Sequence, residues 1–171
     1  MIVLGIDPGW GRCGWAKIRA GDRESARAGD GKPELLKLGL ISTEPGKPKA
    51  ERLAELFGQI ERLIRQNPKP DSMAIEEVHL PPQGIRISNL LGLGEARGVI
   101  LLAAGRAGLG LAEIHPLAVK TTITGSSRSR KEDVARFLKF LLKGVEAKGV
   151  DDTTDAIAIA LTAILTKRNF R

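Results

Sequence analysis

The 171 residues, 42% hydrophobic and 27% charged, have the composition of one folded globular domain spanning 1–171, which excludes a disordered chain. No apolar run reaches the roughly 20 residues of a membrane span, the N-terminus lacks signal-peptide features, and the single cysteine, Cys13, cannot form an internal disulfide, so a cytoplasmic protein with no membrane association is expected. The formal net charge of +7 favours a polyanionic partner.

In chain order, the apolar run Ile2–Ile6 ends on a carboxylate, Asp7, with Pro8-Gly9 next and Gly11 and Gly14 just beyond. A run closed by Pro/Gly predicts a buried strand and a tight turn. A carboxylate at such an end is costly to desolvate unless it is paired or binds a cation. A turn aspartate bonded to its own backbone is the plain alternative. Residues 12–19 and 35–42 predict two more strands around a polar, Gly-rich loop, and three strands in succession predict an antiparallel start. Leu53, Leu56, Phe57, Ile60, Leu63 and Ile64 recur at helical spacing between 50 and 66, and Asn67-Pro68 ends that helix. Residues 72–78 predict a buried strand ending on Glu76 and Glu77, followed by a Pro81-Pro82 loop.

A long helix is predicted over 87–107, rich in Gly and Ala. Helical glycines cost up to about 1 kcal/mol each against alanine, so their use here suggests close backbone approach, either to the sheet or to a second copy of the chain. A strand over 109–114, a short helix from Pro116 to about Ile123, a basic loop at 124–130 and helices over 131–143 and 151–167 complete the chain. The order of elements predicts a ribonuclease-H-like fold, an α/β mixed five-stranded sheet flanked by helices. Residues 116–148 hold eight Lys/Arg against three acids. That asymmetry points to nucleic acid, with a solvated helix face as the plain alternative.

The last helix opens D-D-T-T-D-A-I-A-I-A-L. Asp151 or Asp152 suits its N-terminus. Asp155 shares a face with Asp152, Ala156 and Ile159 that reads as buried, and two adjacent buried carboxylates repel unless a cation lies between them. Acids thus stand at three element ends: Asp7, Glu76 or Glu77, and Asp152 with Asp155. An all-oxygen set suits Mg²⁺ or Mn²⁺. Two such ions about 3.5–4 Å apart activate water and stabilise the leaving oxygen in phosphodiester hydrolysis.

G-I-D-P-G at 5–9, A-I-E at 74–76, L-G-L-G-E-A-R-G-V at 91–99, V-K at 119–120, T-G at 124–125, Lys131 with Val134, and D-x-x-D-A-x-A-x-A at 152–160 follow one another in an order and spacing that resembles the RuvC family of Holliday-junction resolvases. The resemblance implies a homodimeric, metal-dependent endonuclease that nicks two like-polarity strands of a four-way DNA junction and cooperates with a RuvA–RuvB machine. It implies catalytic, metal-holding acids at Asp7, Glu76, Asp152 and Asp155, with two ions per site, and it favours Glu76 over Glu77. It places functional lysines at Lys120 and Lys131.

The chain also departs from its relatives. His79 stands where they often carry an aromatic for stacking on a junction base, and an imidazole stacks less broadly. Ser127 replaces a glycine of the basic loop, where Arg128 and Arg130 add charge for DNA binding. Trp10 fits a core residue, a lid or a DNA contact, and His115 reads as structural. The competing functions are another ribonuclease-H-like nuclease, cutting for example RNA–DNA hybrid, and a non-catalytic junction-binding protein. An actin-like phosphotransferase is suggested by the opening alone, and the chain is short for two such domains.

Overall fold

The computed structural model describes residues 1–21, 31–78, 87–145, 152–166 and 170. The strands are β1 (Ile2–Asp7), β2 (Arg12–Arg19), β3 (Glu34–Ser42), β4 (Ser72–Glu76) and β5 (Gly110–Ile114). The helices are α1 (Lys49–Arg65), α2 (Ile87–Arg106), α3 (Pro116–Thr124), α4 (Lys131–Leu141) and α5 (Asp152–Leu165). Every expected element is present. β4 stops at Glu76 instead of Val78. α4 stops at Leu141 because the next residues turn to β3: Lys143 N–H donates to Pro33 O and Leu35 N–H to Lys143 O, both at 2.9 Å. His79, the Pro81-Pro82 loop and Asp151 lie outside the described residues.

The five strands form one mixed sheet in the order β3-β2-β1-β4-β5. β1 pairs antiparallel with β2 and parallel with β4, which pairs parallel with β5. β1, β4 and β5 therefore end at the same edge, with Asp7 and Glu76 as the last residues of neighbouring strands. Helices cover both faces, and β1 and β4 are accordingly buried almost end to end instead of at alternate residues. On one face Val3, Ala16, Ile18, Ala74 and Ile114 pack against α3, α4 and α5. On the other Leu4, Ile6, Met73 and Ile75 pack against Leu56 and Ile60 of α1 and Ile100 and Ala103 of α2.

α2 corrects one expectation. It is 20 residues long with mean hydropathy 1.3, long and apolar enough by length and composition to cross a membrane. Its two charged interior residues, Glu95 and Arg97, interrupt the apolar run without outweighing it. Here Ala96, Ile100, Ala103 and Ala104 are buried within the second core.

Lys17, in the middle of β2, is fully buried. Its ammonium donates to the carbonyls of Leu63, Gln66 and Pro68 at 2.8, 2.6 and 2.9 Å. All three ammonium donors are thus satisfied, and the positive charge sits at the C-terminal end of α1, where the helix dipole favours it.

α5 lies directly on the backbones of β1 and β2. A Cβ added at Gly5 would stand 2.2 Å from Ala156 O, and one at Gly14 2.0 Å from Asp152 O. Gly14 is the register partner of Asp7, so this contact seats the start of α5 over the end of β1. Gly14→Ala is expected to lift that helix end, costing about 1–3 kcal/mol in urea unfolding as overpacking does. It should lower the nuclease activity that the resemblance implies more than the lost stability explains, because the acids of α5 move away from Asp7.

Candidate active site

Each acid reaches the catalytic edge from a different backbone context. Asp7 closes β1 and Glu76 closes β4. Asp152 and Asp155 occupy the first turn of α5, where carboxylates complement the helix dipole. All four line one cavity of about 260 Å³, together with Lys120, Lys131, Pro116, Val119, Val134 and Ile159. The expected shared face of α5 is present, with Ala156 and Ile159 buried beside the two acids. Glu77 is exposed beyond the strand and does not line the cavity.

The electrostatics of the cavity are strained toward positive charge. Burial first, then Glu76 and Asp155, push the Asp7 carboxyl up to about 8. Burial and Asp155 likewise raise Glu76. Lys131 answers part of this demand: its Nζ donates to Asp155 Oδ2 at 2.5 Å, and its charge pulls Asp7 and Glu76 back down. The bond to Asp155 raises the Lys131 ammonium above its ordinary value, so it stays charged. Asp152 is paired with Arg12 Nε at 3.0 Å.

Among the described residues no three acids stand at coordinating distance of one point; the Lys131 ammonium lies among them instead. The donor set still fits a divalent ion of the Mg²⁺ type. It is all oxygen, it is partly buried, and burial with the neighbouring carboxylates outweighs the Lys131 charge, so that its central carboxylate holds its proton to about pH 8.

The other predicted residues are spread around this cavity. Lys120 projects from α3 into it. Arg128 and Arg130 are exposed in the loop before α4 and do not line it. Thr124 organises that loop, its hydroxyl lying 2.7 Å from Ser129 Oγ and 3.1 Å from Ser126 O. His79 lies outside the described residues. His115 is structural, as read: its Nδ1 accepts from Leu117 N–H at 3.1 Å and caps α3. It is also close enough to Glu76 to lower that carboxyl. Cys13 is buried, and burial with the nearby Asp7 pushes its thiol up to about 12, so it is inert.

Trp10 proves to be a packing residue. Its ring meets Gly92 of α2, and the Arg52 guanidinium stacks over it at 4.6 Å. Arg52 also donates to Trp10 O and to Thr43 Oγ1, and Thr43 N–H donates to Gly11 O. The turn after Asp7 is thereby clasped from α1 and α2. Sequence reasoning missed two residues, Arg12 and Arg97. Arg97 is buried in α2 and its guanidinium donates to the Glu76 main-chain carbonyl. The only available signal was its place in the 91–99 motif.

The family model described as crossover junction endodeoxyribonuclease RuvC matches residues 3–163. Among curated relatives, the crossover junction endodeoxyribonuclease RuvC of Moorella thermoacetica is 38% identical over 161 residues, 94% of this chain and 89% of that protein. The protein of the same description from Pelotomaculum thermopropionicum is 35% identical over 162 residues, 94% of this chain and 91% of that one. Among solved structures, T. thermophilus RuvC in complex with Holliday junction substrate superposes with a TM-score of 0.84 at 28% identity, covering 98% of this chain and 95% of that one. Its agreement with the five-stranded mixed sheet found here bears out the ribonuclease-H-like expectation. The chain belongs to the RuvC family of crossover junction endodeoxyribonucleases.

Proposed function

We propose that this chain resolves Holliday junctions in DNA recombination and repair, nicking two strands of like polarity in a divalent-metal-dependent phosphodiester hydrolysis. The observation that carries the reading is the convergence of Asp7, Glu76, Asp152 and Asp155 with Lys120 and Lys131 on one cavity. The whole chain, 1–171, acts as one nuclease domain, and the resemblance to the RuvC family supports a cytoplasmic location. A RuvA–RuvB branch-migration complex is the partner implied by the resemblance.

The four acids are assigned as ligands for two ions, Mg²⁺ or Mn²⁺, which supply Lewis acidity toward the phosphate and the attacking water when bound. The chain's own groups do the rest. Asp7 and Glu76, fixed at adjacent strand ends, give the site its rigid side, and Asp152 and Asp155 close it from α5. Lys131 and Lys120 lie where a phosphate would enter, and their ammonium groups offset charge as it builds on the phosphate oxygens. Lys131 is paired with Asp155, and with that carboxylate holding a divalent ion its ammonium would be available to the phosphate. Arg128 and Arg130 are assigned to phosphate contacts outside the cavity, and His79 to the junction point.

A symmetric pair of nicks needs two sites, and α2 offers the surface for a homodimer. Ile87, Leu91 and Leu102 are exposed on it, and Cβ atoms added at Gly94, Gly98 and Gly105 would meet nothing within 4 Å among the described residues. These six positions recur at three and four, one continuous stripe of a helix. An apolar stripe with glycines suits close approach of the same helix from a second copy.

Three tests follow from this reading. Incubated with a mobile four-way junction and Mg²⁺ or Mn²⁺, the protein should give paired symmetric nicks and leave linear duplex and RNA–DNA hybrid intact. Asp7→Asn should keep junction binding and lose cleavage by more than the about 10–100-fold that loss of an outer-sphere partner costs; nicking by this variant at the wild-type rate would refute the ligand assignment. Sedimentation should show a dimer for the wild type and a monomer for Leu102→Glu, which buries a charge at the stripe.

A fourth test concerns pH. In the metal-free fold Asp7 holds a proton up to about pH 8 that it has released in the unfolded chain above ordinary carboxylate values. The folded state thus binds more protons across that interval, and stability must fall as pH rises through it. Lys131, with its value raised, stays charged throughout and adds no slope there. In EDTA, the unfolding temperature should decline from pH 5 to 8.5 in the wild type and decline less in Asp7→Asn. Added Mg²⁺ should recover most of the wild-type loss at pH 8.5.

A further inference from the structure

The 91–99 motif of α2 supplies no side chain to the catalytic cavity, yet it carries Arg97, one of the few buried charges in the described residues. A guanidinium is costly to bury, and its donors need defined acceptors. Arg97 has two. Nη1 donates to the main-chain carbonyl of Glu76 at 2.7 Å, and Nη2 donates to the carboxylate of Glu113 on β5. Glu76 is the last residue of β4, and the ladder between β1 and β4 ends one pair earlier, at Ile6 and Ile75. Beyond Asp7 the β1 chain runs into Pro8, which has no N–H to donate. The strand end that carries the Glu76 carboxylate is therefore held on that side by a side chain from a helix.

The same helix holds the other strand end. Gly92, five residues before Arg97, seats the Trp10 ring, and the Trp10 carbonyl is tied to Arg52 and Thr43. Between them, Lys49 Nζ donates to Glu95 Oε1 at 3.0 Å and lies 5.9 Å from the Trp10 ring centre. One stretch of α2 thus grips the turn after Asp7 and the residue that bears Glu76.

We propose that Arg97 is a positioning residue for the cleavage reaction: by tying the Glu76 carbonyl to α2 and bracing on Glu113, it sets where the Glu76 carboxylate stands relative to Asp7. The proposal rests on the nuclease reading above. Arg97 touches no substrate; it acts through the backbone of a residue that does the chemistry. Outer partners of metal-holding groups commonly carry such a role.

The test uses the full chain with Arg97→Gln and Glu113→Gln, each checked for a cooperative unfolding transition. Four quantities are read: Mn²⁺ binding by calorimetry without DNA, junction binding in EDTA, cleavage rate at saturating junction, and the Mg²⁺ concentration for half-maximal rate. Arg97→Gln should weaken Mn²⁺ binding and slow cleavage by about 10–100-fold, raise the Mg²⁺ requirement, and leave junction binding unchanged. Glu113→Gln, on a half-exposed side chain, should shift the same quantities less. A merely structural arginine would lower the unfolding temperature and leave Mn²⁺ affinity of the folded variant intact, and that result overturns the proposal. So does a rate loss matched by lost junction binding. If Arg97→Gln does not fold, Glu113→Gln decides alone, and wild-type Mn²⁺ affinity in it overturns the proposal. Failure of the wild type to cut junctions would strike the nuclease reading instead, because the Mn²⁺ comparison still reports on Arg97.

Discussion

The catalytic edge depends on a contact with no side chain in it: α5 resting on Gly5 and Gly14 of β1 and β2. A methyl group at either position would meet a helix carbonyl at about half the distance van der Waals contact allows. Because nothing intervenes, the first turn of α5 comes down on the end of β1, and Asp152 and Asp155 share a cavity with Asp7. The two glycines give up β-propensity within the strands, and the apolar neighbours Val3, Leu4, Ile6, Cys13 and Ala16, all buried, compensate by packing. The sheet therefore serves as a flat platform at the point where the site needs one.

That closeness creates the electrostatic problem the site is built around. Bringing carboxylates together out of water raises the energy of every charge after the first. The metal-free fold answers in three ways. Asp7 takes up a proton, Lys131 closes on Asp155, and Arg12 pairs with Asp152. Each answer is reversible, unlike burial of an apolar group. A divalent cation held by these acids would supply more charge than one ammonium and would favour the ionised form of Asp7. The residues best placed to compensate the acids, Lys131 above all, are also those best placed to meet a phosphate once the acids have a stronger partner.

Local patterns made much of this legible in the sequence. Asp7 and Glu76 were found because each ends an apolar run, and Asp152 with Asp155 because i and i+3 share a helix face. The family resemblance, more than the spacing, separated Glu76 from Glu77, and the exposure of Glu77 agrees. What the sequence withheld depends on distant partners. Lys17 reads as the polar member of an alternating strand; only the carbonyls of Leu63, Gln66 and Pro68, some 50 residues on, show that it is buried and satisfied. Trp10 was unassigned because its partners, Arg52 and Gly92, come from two helices on the far side of the sheet. Arg12 and Arg97 were missed for the same reason: a lone arginine in a strand or an apolar helix has no periodic signature. The hydropathy of α2 does not discriminate, since 20 mostly apolar residues satisfy a membrane criterion and a core helix equally well.

α2 also joins two requirements that otherwise look separate. Its inner side is committed to the site through Gly92 and Arg97, and its outer side presents the open glycine stripe assigned to a second copy of the chain. A helix is stiff along its axis, with 1.5 Å of rise per residue, so Gly98 on one side and Arg97 on the other cannot move independently. Any shift of the helix imposed by a partner at the stripe must be felt at the Glu76 carbonyl, through a guanidinium already fixed at both ends. Within the chain, the small residue Gly92 serves close approach to the Trp10 ring; the open glycines are the ones assigned to a second copy. An alanine at Gly94 or Gly98 would leave the packing of the described residues intact, because outside the helix's own backbone none of their atoms lies within 4 Å of its Cβ. Among the described residues, then, no contact requires glycine there, which is what a helix shaped for a second copy of itself would show.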